Sequence, residues 1–303
     1  MLDDLPLLQT EKMKVQQIFN RGHSGCEVLL VSLDGDIAVI KRAKKNNPRA
    51  VLEINNNLLG SRNMQIEGLS YLLPEKFKFY QDSMHYGIYM SFLGKDIESK
   101  INESDNPESI YSLLLNNLRK IYSQTIYESR EAMKESSVYV DSIRGLCIKN
   151  YQEYLLPKGL VDAKDINDIL KLRTPVIDRS SFACWDLTPE DLFLVDGVLK
   201  YPDPKAVLRG VPIIDLACFA GVCKDSYKTK GSIEAYQTIE TFAVEEIAPL
   251  LNINKSDAKN LFYLGRILQS SLSSRFAKDV DKARTNASIS KNYLTKILNG
   301  KQK

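Results

Sequence analysis

The stretch that decides the fold is 182-FACWDLTPEDLFLVDGVLKYPDPKAVLRGVPIIDLACF-219. It spaces four aspartates around one expected hairpin: Asp186 precedes Asp191 by five residues and Asp203 by seventeen, and Asp215 follows twelve later. The apolar runs LFLV and VLKY read as short strands joined by the turn Asp196-Gly197. That arrangement puts a loop aspartate, a second loop carboxylate and a post-hairpin aspartate on one edge of a small sheet. Asp215 lies at the apolar start of an expected helix, GVPIIDLACF, where an unpartnered carboxylate would cost several kcal/mol. Backbone N–H groups of the loop bearing Asp186 are the expected donors to it.

Upstream, the chain is strand-rich. CEVLLVSL and DIAVIKR flank Asp34-Gly35 as a hairpin, and the loop before it carries Gly22 and Gly25. Residues 48 to 60 open on Pro48, close on Gly60 and read as a short helix. EKFKFYQ and HYGIYMSFL then read as two more strands, the second followed by Gly94. Beyond Gly94, residues 95 to 172 carry helical spacing, as in Ile110, Leu113, Leu114, Leu118 and Ile121, and residues 213 to 299 do so again. The expected organisation is α+β, with an N-terminal β-rich lobe over 1–94 and a mostly helical lobe over 95–303.

Composition narrows the setting. The 303 residues are 44% hydrophobic and 26% charged, as in a soluble globular protein. Forty-one basic and 38 acidic residues leave a net charge of +3, too little to draw the whole surface onto nucleic acid or a membrane. The basic clusters, KRAKK at 41 to 45 and the C-terminal lysines, read as solvated faces, so no nucleic-acid site is evident. Five cysteines without a CxxC pair, an acidic N-terminus and no apolar run near ~20 residues point to the cytoplasm, free thiols and no membrane span.

A glycine loop and a strand lysine followed by spaced aspartates are what phosphoryl transfer from a nucleotide requires. Backbone amides and a lysine hold phosphates, carboxylates hold magnesium, and one carboxylate faces the acceptor hydroxyl. Gly22 and Gly25 would let backbone amides approach phosphate, and Lys41 closes AVIK sixteen residues after Gly25. Glu53, on the helix that follows, is the preferred partner for Lys41, with Glu67 competing for that place.

In these segments the chain resembles the aminoglycoside phosphotransferase and choline kinase branch of the protein-kinase-like superfamily. AVIK resembles the nucleotide-lysine strand, GIYMSFLGKDI the hinge, CWDLTPEDLFLVDG the catalytic loop, YPDP the metal-aspartate segment and GVPIIDLACF the helix start after it. The resemblance spans about residues 15 to 225, and its specific part is 182 to 220. It implies a bilobal protein-kinase-like fold, with a small antiparallel-sheet N-lobe and a larger helical C-lobe. It further implies ATP or GTP with Mg2+ as cofactors, and residue roles as follows. Asp186 would be the catalytic base, and Asp191 and Asp203 would be metal ligands. Gly22, Gly25, Lys41 and Glu53 would serve the phosphates, Met90 and Phe92 would lie in the segment whose backbone meets adenine, and Asp215 would brace the catalytic loop.

Two lengths favour a small-molecule hydroxyl acceptor. Only eleven residues separate Asp203 from Asp215, where protein kinases carry a long activation segment, and 91 residues separate Gly94 from Asp186, enough for additional helices. Acidic Glu131, Glu135 and Asp141 suit either a cationic acceptor or a charged helix face. The chain departs from the family pattern at Cys184 and Trp185, which stand for His and Gly, and at Asp191, which stands for Asn. A nucleotide-binding module without catalysis, or a kinase with a protein or RNA acceptor, are the alternative expectations.

Overall fold

A computed structural model describes residues 5–6, 13–19, 25–33, 35–183, 187–204 and 208–300. The chain begins with strands β1 (Lys14–Phe19), β2 (Glu27–Leu33) and β3 (Asp36–Lys44), continues through helix α1 (Pro48–Ile66), and returns as β4 (Phe77–Gln81) and β5 (His85–Ser91). These strands form one antiparallel sheet in the order β1-β2-β3-β5-β4. The pleat of β3 sends Ala38 and Ile40 to one face, where Leu29, Val31 and Tyr80 complete a core. Val39 and Ala43 point to the other face and meet Ala50 and Ile54 of α1 together with Ile88 and Met90. Lys41, at odd register with Val39 and Ala43, therefore faces the helix.

Helix α1 starts where the sequence predicts. Asn47 caps it by accepting from the Ala50 amide, and Pro48 occupies the first turn, where no N–H is needed. It does not stop at Gly60, which lies buried inside it, and it runs on to Ile66. The residue that ends it is Gly68, at φ +71°. The Gly68 amide donates to Gln65 O and the Leu69 amide to Met64 O, a paired termination that requires the left-handed conformation glycine tolerates.

After β5 come α2 (Ile97–Glu103), α3 (Pro107–Gln124), β6 (Tyr127–Glu128), α4 (Arg130–Asn150), α5 (Ala163–Leu170) and β7 (Arg179–Ala183). The hairpin β8 (Phe193–Val195) and β9 (Val198–Lys200) turns at Asp196 and Gly197, as expected. Next are β10 (Leu208–Gly210), α6 (Pro212–Gly221), α7 (Ser232–Thr241), the short α8 (Ala248–Leu250), α9 (Lys255–Phe276) and α10 (Val280–Gly300). The helical reading of residues 95 to 172 holds for α2 to α5 but misses β6, which joins β7 and β10 in a three-stranded sheet. Strands of two to five residues, with buried Ser180 and Ser181 in β7, carry no apolar alternation to read.

By its contacts the chain divides into two compact units. One comprises Met1–Asp96 with Asp191–Val207, and the other comprises Ile97–Glu190 with Leu208–Lys303. The hairpin β8–β9 thus belongs with the five-stranded sheet rather than with the helices that flank it in sequence. The second unit is mostly helical and is built around α6, whose residues are all buried. This small antiparallel sheet with a larger helical remainder is the α+β class expected. Among the described residues no helix is long and apolar enough to cross a membrane.

The orientation of α1 is open to a direct check. Ile54 is fully buried and Leu52 is 58% exposed. Ile54→Ala is expected to cost about 2–5 kcal/mol in urea unfolding, whereas Leu52→Ala should stay within about 0.5 kcal/mol. The reverse ranking would mean that the helix presents a different face to the sheet.

Candidate active site

The site is assembled within the first unit. Lys41 is buried, its side chain 9% exposed, and its Nζ lies 3.0 Å from Glu53 Oε1 and 2.6 Å from Asp203 Oδ1. Removal from water alone would push the ammonium's pKa down. The carboxylates of Asp203 and Glu53 outweigh that and hold Lys41 above its ordinary value. Glu67, the rival partner, is the C-cap of α1. Fourteen residues of helix place it about 21 Å along the axis from Glu53, out of reach of Lys41.

Asp203 is delivered to Lys41 by the anchoring of the strand before it. The Tyr201 amide donates to Leu72 O at 2.7 Å, and Lys200 Nζ donates to Tyr71 O at 2.6 Å and to Leu73 O at 3.3 Å. These bonds tie the end of β9 to the short turn at residues 70 to 72, so the polypeptide passes Lys41 two residues later.

A fourth residue joins the cluster without having been singled out in the sequence. Asn57, one helical turn beyond Glu53, is fully buried; its Nδ2 donates to Asp203 Oδ1 at 2.7 Å and to Pro204 O at 3.3 Å. Its Oδ1 is buried and has no hydrogen-bond partner among the described residues. The available signal was spacing alone: Asn57 sits at i+4 from Glu53 and three residues after Ile54, on the face that packs inward.

The other expected residues are placed as follows. Gly25 lies just before β2 at φ +82°, while Gly22 lies outside the described residues. Asp191, partly buried, sits just before β8. Met90 is a core residue of the sheet beside Ile54 and Ala43, and Phe92, past the end of β5, is 46% exposed. Asp186, with Cys184 and Trp185, lies outside the described residues, and so does the expected donation from its loop to Asp215.

In the second unit, Asp215 occupies the first turn of α6, 1% exposed, and accepts a hydrogen bond from the Tyr139 hydroxyl of α4. A hydrogen bond to a charged group contributes about 1.5–3 kcal/mol. Gly210 makes this contact possible, because a Cβ there would lie 2.6 Å from the Tyr139 ring. The spacing of Gly210, Pro212 and Asp215 thus has a packing origin in this chain. On the outer side of α4, Asp141 is engaged by Arg144 at 2.9 Å and by the Thr174 hydroxyl at 2.8 Å, which makes it part of a charged helix face.

Among the described residues no three His, Cys, Asp or Glu side chains gather as a metal cage. Magnesium does not need one, since it is commonly held by one or two carboxylates together with waters and phosphate oxygens. A half-buried carboxylate beside a buried ammonium suits that cation, and the ammonium suits the phosphates.

The raised pKa of Lys41 has a consequence for stability. An unfolded lysine titrates near 10.5 and the folded one above it, so the stabilisation Lys41 provides is complete below about 10.5 and fades as pH rises through the folded value. The difference in urea midpoint between wild type and Lys41→Met should hold steady from about pH 7 to 10 and shrink above that. A difference that already shrinks between about pH 7 and 9 would contradict the paired ammonium.

No protein-family model matches the chain, and no curated protein matches it in sequence. Solved structures do match it in fold. An ethanolamine kinase from Plasmodium vivax superimposes with a TM-score of 0.59 at 12% identity, over 94% of this chain and 83% of that one. A choline kinase from Cryptosporidium parvum gives 0.56 at 12% identity over 99% and 93%. A spectinomycin phosphotransferase in complex with ADP and spectinomycin gives 0.51 at 10% identity over 95% and 93%. The chain therefore shares the bilobal kinase-like α+β fold of these solved structures.

Proposed function

We propose that the protein transfers the terminal phosphoryl group of ATP, or of GTP, to a hydroxyl of a small molecule. The observation that carries this reading is the buried Lys41 ammonium clasped by Glu53 and Asp203. It joins a phosphate-holding cation and a metal-holding carboxylate within one cluster.

Each residue then has a task. Lys41 exchanges Asp203 for phosphate oxygens while Glu53 keeps its ammonium in place. Asp203, with Asp191 as a second carboxylate, holds magnesium, which when bound neutralises charge on the phosphates. Backbone amides near Gly22 and Gly25 approach the phosphates, and the backbone from Tyr89 to Leu93, with Met90 anchored in the core and Phe92 beside it, meets the purine. Asp186 orients the acceptor hydroxyl and takes its proton, and Asp215 braces the segment that carries it.

A small acceptor is favoured by how little chain lies between Asp203 and Asp215. β10 pairs with β7 from Leu208, and α6 begins at Pro212, which leaves no length for a peptide-binding platform. The solved relatives are named for ethanolamine, choline and spectinomycin, all small hydroxylated molecules. Five cysteines without a CxxC pair suit work in the cytoplasm.

The test is ATP consumption with magnesium across a panel of amino alcohols, sugars and aminoglycosides. At least one acceptor should stimulate wild type, and Asp186→Asn or Asp203→Asn should lower that rate by about a thousandfold or more. Equal rates in wild type and both variants would contradict the assignment. A rise in melting temperature with ATP and no turnover on any acceptor would instead support a binding module.

A further inference from the structure

We infer that Asn57 is a positioning residue for Asp203, one that fixes the carboxylate for its cation by a neutral hydrogen bond. The inference rests on the phosphotransfer reading above and assigns this chain a residue in that site which neither the resemblance nor the sequence pattern supplied.

Burial is the first argument. Asn57 is fully enclosed on a helix face it shares with Ala50, Ile54, Leu58, Ser61 and Met64, and Ser61 is satisfied within the helix by donating to Leu58 O. A leucine of similar size would fill such a place without any desolvation cost, whereas a buried amide must be matched by partners. Here the match is one-sided: Nδ2 is satisfied twice, by Asp203 Oδ1 and Pro204 O, whereas Oδ1 has no hydrogen-bond partner among the described residues. Both partners of Nδ2 are oxygens that only accept, so the orientation of the amide is determined by the contacts. What the contacts use is its donors.

Charge is the second. Asp203 Oδ1 accepts from both the Lys41 ammonium at 2.6 Å and the Asn57 amide at 2.7 Å. The two differ in what they do when a dication approaches the carboxylate. An ammonium repels the incoming charge and has phosphate to turn to. A neutral amide does neither, so it holds the carboxylate while Lys41 leaves. Its second bond, to Pro204 O, fixes the backbone on the far side of Asp203 and limits rotation of the whole residue.

The experiment measures Mn2+ binding by electron paramagnetic resonance in the presence of saturating ADP, and metal-free ADP binding by calorimetry, for wild type and Asn57→Leu. Loss of a hydrogen bond to a charged group predicts Mn2+ affinity about ten- to a hundredfold weaker, with metal-free ADP affinity within about threefold of wild type. Should Asn57→Leu not fold, Asn57→Ser, too short to reach Asp203, carries the same expectation. Unchanged Mn2+ affinity would overturn the inference, and so would an equal loss of both affinities, which marks a purely structural role. Failure of wild type itself to bind Mn2+ with ADP would overturn the phosphotransfer reading, and this assignment with it.

Discussion

The structure around the site depends on one fact: an ammonium has been taken out of water. Desolvating an ion costs several kcal/mol even after the protein relaxes, and one carboxylate at contact returns about 4 kcal/mol at an effective dielectric near 20. One partner roughly breaks even; two leave a surplus. Lys41 has two, and the raised pKa reflects that balance. The need for both explains several features that look unrelated along the chain. α1 must hold Glu53 against β3, the β8–β9 hairpin must belong with the five-stranded sheet although helices flank it in sequence, and the end of β9 must be tied to residues 70 to 73 so that Asp203 arrives at Lys41.

A cluster that stabilises itself this way is also one a ligand can open. The Asp203 carboxylate and the Lys41 ammonium neutralise one another, and under the proposed phosphotransfer reading a nucleotide with its cation would offer each another partner: phosphate for the lysine, the dication for the aspartate. Exchange on those terms would involve no net loss of ionic contacts, and Glu53 and Asn57 would remain to hold the two groups at their posts. The second unit solves a related problem separately. Asp215, buried at the start of an all-buried helix, is matched by the Tyr139 hydroxyl, and Gly210 leaves the room that the tyrosine ring needs.

The fold was legible because the 182 to 219 stretch is dense in constraints: two three-residue strands, a tight turn and a proline-started helix leave little freedom in how the aspartates are spaced. The pairing of Lys41 with Glu53 followed from the AVIK strand and from Glu53 being a lone carboxylate on the apolar-faced helix soon after it. Other features were hidden for physical reasons. The end of α1 was misplaced because Gly60 lies buried inside the helix, and only backbone geometry separates it from the terminating Gly68. The sheet of β6, β7 and β10 was missed because its core position at Ser181 is stabilised by hydrogen bonds to Tyr122 O and the Thr125 hydroxyl rather than by apolar alternation. Asn57 was hidden as the last of three consecutive asparagines, Asn55 to Asn57, which only the rotation of α1 tells apart.

The central claim is that the Lys41, Glu53, Asp203 and Asn57 cluster receives a nucleotide's phosphates and its cation. Crystals grown with a non-hydrolysable ATP analogue and Mn2+ test it most directly, through the anomalous signal of the metal. The account predicts a manganese peak about 2.1 Å from an Asp203 carboxylate oxygen, as for a hard divalent cation, with Lys41 turned from Asp203 to a phosphate oxygen and still bonded to Glu53. A nucleotide bound elsewhere, or one bound here with the Lys41–Asp203 pair intact and no metal at Asp203, would contradict it.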